Sequence, residues 1–155
     1  MRRFLPVLLA FAFAAMTSPA NHAVDTEEQP GAAQLDPDYA AGRKAIEARD
    51  WNAAIKYFSS AALRAPDNAD IQNYLGYAHR KTGKLEPAFK HYRRALELNP
   101  RHRGAHEYVG EAYLMVNNLA KAEEHLAALD RLCLLPCEEY SDLKARVAAY
   151  KKAAK

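Results

Sequence analysis

Shifting the chain against itself by 34 residues superimposes Gly42, Gly76 and Gly110, and the same shift superimposes Ala54, Ala88 and Ala122. The register also brings Ala41, Leu75 and Val109 together, aligns Phe58, Tyr92 and Leu126, and matches Pro66 with Pro100. A recurrence of small, large and helix-ending residues at one interval demands that each interval fold into the same unit and that the units stack.

The unit is a pair of antiparallel helices. Glycine at the tightest crossing and alanine opposite it let two backbones approach, and Phe58, Tyr92 and Leu126 are expected to fill the adjoining holes. Breaks fall at Asp50 and Asn52 around Trp51, at Gly83 ahead of Pro87, and at Asn117 and Asn118. Pro66 and Pro100 end helices because proline lacks the N–H and its ring clashes with the preceding turn. The pattern predicts helices near 38–48, 53–64, 69–82, 86–98, 103–116 and 119–132.

This spacing resembles the tetratricopeptide repeat, whose pattern is a Leu-Gly pair, an aromatic three later, then Ala, an aromatic four further on, and Pro. The middle unit fits best, with Leu75, Gly76, His79, Ala88, Tyr92 and Pro100. The first keeps Gly42, Ala54, Phe58, Ala61 and Pro66 but has Asp38 and Ala45 where large aromatics are usual. The third keeps Val109, Gly110, Tyr113 and Ala122, then drifts, with Leu126 for the aromatic and its proline displaced to Pro136. The resemblance implies an all-α, right-handed solenoid of three helix pairs over 35–68, 69–102 and 103–136. Segment 137–155 follows as a capping helix with a basic tail: Tyr140, Leu143, Val147 and Tyr150 form one apolar stripe that would cover the open end of the stack.

The amino terminus stands outside this pattern. Arg2 and Arg3, an apolar run over 4–16 and small residues up to Ala20 have the three parts of a cleavable export signal over 1–20. The run is shorter than the roughly 20 apolar residues that span a bilayer, so no membrane insertion is expected after cleavage. Residues 21–34, acidic and without apolar periodicity, read as a flexible leader. Export predicts a periplasmic or secreted protein. The whole chain has 22 basic and 19 acidic residues, a net charge of +3 that becomes +1 once Arg2 and Arg3 leave. Near neutrality gives no general reason to expect nucleic acid as the ligand.

Cys133 and Cys137 are the only cysteines. Behind an export signal a disulfide stapling the last repeat to the cap is expected; free buried thiols, or a soft-metal or redox site, are the alternatives. No histidine is spaced as an obvious third ligand, so no metal and no cofactor are expected.

Catalysis needs converging nucleophile, base or acid, and the sequence has no Gly-x-Ser-x-Gly, no phosphate-cradling glycine loop and no His-Glu-x-x-His. The expected class is therefore a binding module and not an enzyme. His79 falls at an aromatic position of the repeat and reads as a packed, hydrogen-bonded histidine; a metal pair from His102 and His106 is disfavoured because a helix begins between them.

In the family that the repeats resemble, the first helix of each pair lines a groove that holds an extended peptide or a partner's helix. Carried over by register, the groove residues are Tyr39, Arg43 and Glu47, then Asn73, Tyr77, Arg80 and Lys81, then Glu107, Glu111 and Leu114. A basic centre at Arg43, Arg80 and Lys81 followed by acids implies a bipolar protein or peptide partner. Subfamily members that grip a terminal carboxylate use Lys and Asn, then Lys and Arg; here the places hold Tyr39 and Arg43, then Glu107 and Glu111, so that role is not implied. The groove could also accept a second copy of the chain, as a homo-oligomer, through Tyr108, Leu114 and Met115.

Overall fold

The computed structural model describes residues 36–135 and 137–154. The expected export signal, the leader and Pro136 lie outside the described residues. Seven α-helices are present among them: α1 (Pro37–Glu47), α2 (Trp51–Arg64), α3 (Ala69–Lys81), α4 (Leu85–Leu98), α5 (Arg103–Met115), α6 (Leu119–Leu132) and α7 (Glu138–Ala153). They pack as consecutive pairs, α1 with α2, α3 with α4 and α5 with α6; α2 then rests on α3, α4 on α5, and α7 on both α5 and α6. No helix among the described residues is long and apolar enough to cross a membrane.

Four helix starts are fixed by a side-chain oxygen. Asp36, Asp50, Asn68 and Asn118 accept backbone N–H groups from the first turns of α1, α2, α3 and α6, satisfying donors that a helix start would otherwise leave unpaired. The turn inside every pair has one geometry. Arg49, Gly83 and Asn117, 34 apart, all take the left-handed conformation, with φ of 56°, 75° and 58°. After each of them the chain bonds back across the helix end, Asp50 N–H to Ala45 O at 2.9 Å, Lys84 to His79 at 2.9 Å and Asn118 to Tyr113 at 2.8 Å, the Schellman arrangement that closes a helix and reverses the chain.

Inside the pairs, the glycine holes are filled as expected twice and differently the third time. A Cβ on Gly42 would meet the Phe58 ring at 2.8 Å, and one on Gly76 the Tyr92 ring at 2.6 Å. At Gly110 the contact is Leu143 of α7, at 2.6 Å, in place of the expected Leu126. Leu126 sits at the side of the terminal cluster, which is built on Ala122, Leu129, Leu143 and Val147. The reason is register: Leu143 lies 34 after Val109, and Val147 34 after Tyr113, so α7 is the first helix of a further unit and brings its own leucine to the crossing. The cap assignment holds, with Leu143 and Val147 buried and Tyr140 packed beside them.

Alanine at Gly76 is expected to cost about 1–2 kcal/mol, since overpacking a fully buried ring costs about 1–3 kcal/mol and the better helix propensity of alanine returns up to about 1 kcal/mol. Urea unfolding measures it; an unchanged midpoint would mean that Tyr92 can move aside.

Cys133 and Cys137 are joined by a disulfide at the α6 to α7 corner. While that bond persists neither sulfur is a thiolate, the form that binds soft metals or attacks other disulfides.

Candidate functional site

Helices α3, α5 and α7 lie side by side, and two recesses of opposite charge open between them. The first, of about 330 Å³, is bounded by Asp70, Asn73 and Tyr74 of α3, Glu107 and Tyr108 of α5 and Glu138, Glu139 and Asp142 of α7. The second, of about 390 Å³, is lined by Arg80, Lys81, Glu111, Leu114, Met115, Arg146 and Tyr150. Between them a ridge of aromatic rings crosses the face: Trp51 meets Tyr77 edge-on at 5.8 Å, and Tyr77 packs on Tyr108 at 4.8 Å between centroids. Lys81 lies 5.3 Å from the Trp51 ring and 5.8 Å from that of Tyr77, distances at which an ammonium is attracted to a π face.

Seven of the ten groove positions expected from register thus lie on or between the recesses: Asn73 and Glu107 in the first, Arg80, Lys81, Glu111 and Leu114 in the second, Tyr77 on the ridge. Three do not. Tyr39 is a core residue, 6% exposed and edge-on to both Phe58 and Tyr74; its phenol is pushed up to about 12, chiefly by burial. Arg43 is exposed and lies against Tyr74, donating to its hydroxyl at 2.7 Å. Glu47 is exposed at the end of α1 and lines neither recess.

The charges also divide differently from the expected basic centre followed by acids. Arg80 is 9% exposed, bonds Glu111 at 2.7 Å and donates to the Tyr92 hydroxyl at 3.3 Å. It is a neutralised strut between α3 and α5, because a buried guanidinium persists only when paired. Glu111 reaches Arg146 as well, at 3.3 Å. Cationic character in the second recess therefore rests on Lys81 and Arg146. Glu107 is 9% exposed and has no ion pair among the described residues. Burial, then the charges of Glu111, Asp142 and Glu139, push its carboxyl up to about 8, with Arg80 pulling the other way. The residues of α7 were missed by the expectation; the 34-residue register carried one helix further would have placed Glu138 and Asp142 34 after Gly104 and Tyr108.

The histidines form two copies of one packing device on the other side of the pairs. Gln72 Oε1 bonds His91 Nδ1 at 2.8 Å, and 34 residues on, His106 Nδ1 bonds His125 Nδ1 at 2.9 Å. His79 stacks on His91 as Tyr113 stacks on His125. His106 Nε2 donates to Pro100 O at 3.0 Å, so its Nδ1 is the acceptor and His125 the donor. His102 is instead the cap of α5, accepting Ala105 N–H at 3.2 Å through Nδ1, which separates it from His106. His79 is packed as expected, but its buried Nδ1 has no hydrogen-bond partner among the described residues. Burial drives His91 and His125 down to about 4.

Comparison with known proteins bears on this architecture. The tetratricopeptide repeat family profile matches residues 39–100 and 88–133. The chain belongs to the tetratricopeptide repeat family. Human protein O-mannosyl-transferase TMTC3 is 31% identical over 101 residues, 64% of this chain and 11% of that protein, so the chain spans about a tenth of the length of this curated relative. Among solved structures, the TPR2B domain of yeast Sti1 in its complex with pHsp70 superimposes with a TM-score of 0.69 at 19% identity, covering 79% of this chain and 98% of that one. The type III secretion translocator chaperone SycD of Yersinia enterocolitica, in complex with a peptide of the translocator YopD, superimposes at 0.65 with 19% identity, covering 82% and 95%. At these identities the likeness establishes the tetratricopeptide fold, and the three pairs plus α7 account for it.

Proposed function

We propose that the chain is a non-enzymatic adaptor that holds an extended segment or helix of a partner protein along the face formed by α3, α5 and α7. The observation that carries this reading is the pair of oppositely charged recesses joined by an aromatic ridge, a surface that matches a segment with its own basic and acidic ends. The Sti1 and SycD structures, in which the same fold is in complex with pHsp70 and with a YopD peptide, support it by analogy. Transferase activity is not part of the proposal, because 101 shared residues are 11% of the relative that carries that name. Export of the chain to the periplasm or the exterior rests on residues 1–20, and a disulfide at Cys133 and Cys137 suits such a compartment. Assembly of an envelope complex is one setting that would use such a holder.

The test is charge reversal at the basic recess, Lys81→Glu with Arg146→Glu, both exposed. A partner captured by the wild-type chain from its native compartment is expected to bind at least tenfold more weakly; because Arg146→Glu also breaks the pair with Glu111, an unchanged helical circular-dichroism spectrum checks that the fold is kept. Equal binding would place the contact surface elsewhere.

A further inference from the structure

The acidic recess contains an unmet demand for a hydrogen-bond donor. Asn73 is 4% exposed, and its Oδ1 has no partner among the described residues, although buried carbonyls are almost always hydrogen-bonded. It lines the recess together with Gly104, where a Cβ would come to 3.3 Å from Asn73 Nδ2; Oδ1 itself is shielded, and a half-turn of the amide about its Cβ–Cγ bond brings it to the place beside the glycine that Nδ2 holds. The charge is equally unbalanced. Asp70 lies 3.0 Å from His102 Nε2 and Glu139 lies 3.4 Å from Arg103, but Glu107, Glu138 and Asp142 have no ion-pair partner among the described residues.

These features select the kind of cation. Among the described residues no three His, Cys, Asp or Glu side chains converge closely enough to hold a metal ion; the acceptors are spread over three helices. A spread set of acceptors at a recess walled by the Tyr74 and Tyr108 rings suits a flat, delocalised cation with several donors more than a point charge. The volume of about 330 Å³ holds one long side chain and not a folded segment.

We propose that this recess binds one arginine side chain of the partner segment, its guanidinium donating to Asn73 Oδ1 and to the Glu107 carboxylate. This rests on the adaptor reading and makes it specific: the segment lies with an arginine over α3, α5 and α7 and its acidic part toward Lys81 and Arg146. A cation here also opposes the burial and the charges of Glu111, Asp142 and Glu139 that keep Glu107 protonated, against which Arg80 alone acts in the free chain. Binding should then release a proton and tighten as pH rises from 6 to 8.

The experiment is a two-dimensional NMR titration of the full chain with N-acetyl-arginine amide, N-acetyl-lysine amide and N-acetyl-citrulline amide. Expected are saturable shifts centred on the Asn73 side-chain amide and the Gly104 backbone amide, at least tenfold tighter for arginine than for lysine or citrulline. Affinity should fall at least fivefold in Asp142→Asn, an exposed position that leaves the fold intact, and in Asn73→Leu where that variant folds. Equal responses to arginine and lysine, shifts spread over the surface, or indifference to Asp142→Asn would each overturn the proposal. The adaptor reading stands or falls separately, since partner binding that is lost in the Lys81 and Arg146 reversal but kept in Asp142→Asn refutes the arginine site alone.

Discussion

Replacing Leu143 by alanine is expected to destabilise the protein by about 2–5 kcal/mol, the cost of emptying a fully buried leucine site. Leu143 is inaccessible to solvent and fills the space over Gly110 that Phe58 and Tyr92 fill over Gly42 and Gly76. The loss should be local in origin, because in a stacked array each unit contacts its neighbours only. Hydrogen exchange in α7 should accelerate first, followed by α5 and α6, while α1 to α3 retain most of their protection. Urea unfolding with residue-resolved exchange tests both parts; a loss below about 0.5 kcal/mol, or uniform acceleration along the chain, would contradict the assignment of α7 as the seal of the stack. The variant should also lose the acidic recess, whose outer wall is Glu138, Glu139 and Asp142 of that helix.

Substituting Glu107 by glutamine is expected to raise stability at alkaline pH and to leave it nearly unchanged at pH 5. The folded chain holds the Glu107 proton up to about pH 8, against an ordinary carboxylate value of 4.5. A group whose affinity for protons is greater in the folded state stabilises fully below its unfolded value and loses that contribution as pH rises through its folded one, here between 4.5 and 8. At about 1.4 kcal/mol per unit the wild-type chain gives up several kcal/mol across that window, and the glutamine variant, isosteric and uncharged, does not. The histidines act in the opposite sense. His91 and His125 stay neutral in the fold until about pH 4, so stability present above the ordinary histidine value of 6.5 declines as pH falls through 4. Together they place maximum stability near neutrality in the wild type and extend it to higher pH in the variant. Thermal unfolding from pH 5 to 9 measures this; parallel curves for the two proteins would show that Glu107 is already ionised.

Much of this architecture is legible in the residues because packing constraints are local and repeated. Gly42, Gly76 and Gly110 mark the crossings, and the expected helices differ from those observed by at most two residues at either end, Trp51 and Asn52 being helix where a break was expected. What sequence reading misplaced depends on which way a side chain leaves its helix and what it then meets. Tyr39 and Arg43 hold groove register, yet Tyr39 turns into the aromatic cluster of the first pair and Arg43 lies against Tyr74. Arg80 and Glu111 look like two charges offered to a partner, but a strut 2.7 Å long joins residues on different helices, which no spacing along one helix reports. The histidine seams were legible in principle, since Gln72 to His91 and His106 to His125 share the 34-residue register. Reading them requires knowing that the two positions face each other across a pair. Arg49 hides its left-handed backbone behind a side chain that seldom adopts it, and only alignment with Gly83 and Asn117 exposes the position.

That thrice-repeated reversal at Arg49, Gly83 and Asn117 has a consequence for how such a chain can change. One residue gained or lost there would break the backbone bond that closes the preceding helix and change the direction in which the next one sets out, moving its alanines out of the crossing. Substitutions on the proposed binding face leave this packing untouched and can accumulate one at a time, whereas the reversal accepts Arg, Gly or Asn but is expected to resist a change of length. Drift in what the molecule holds is therefore open to gradual selection, and drift in the length of its reversals is closed.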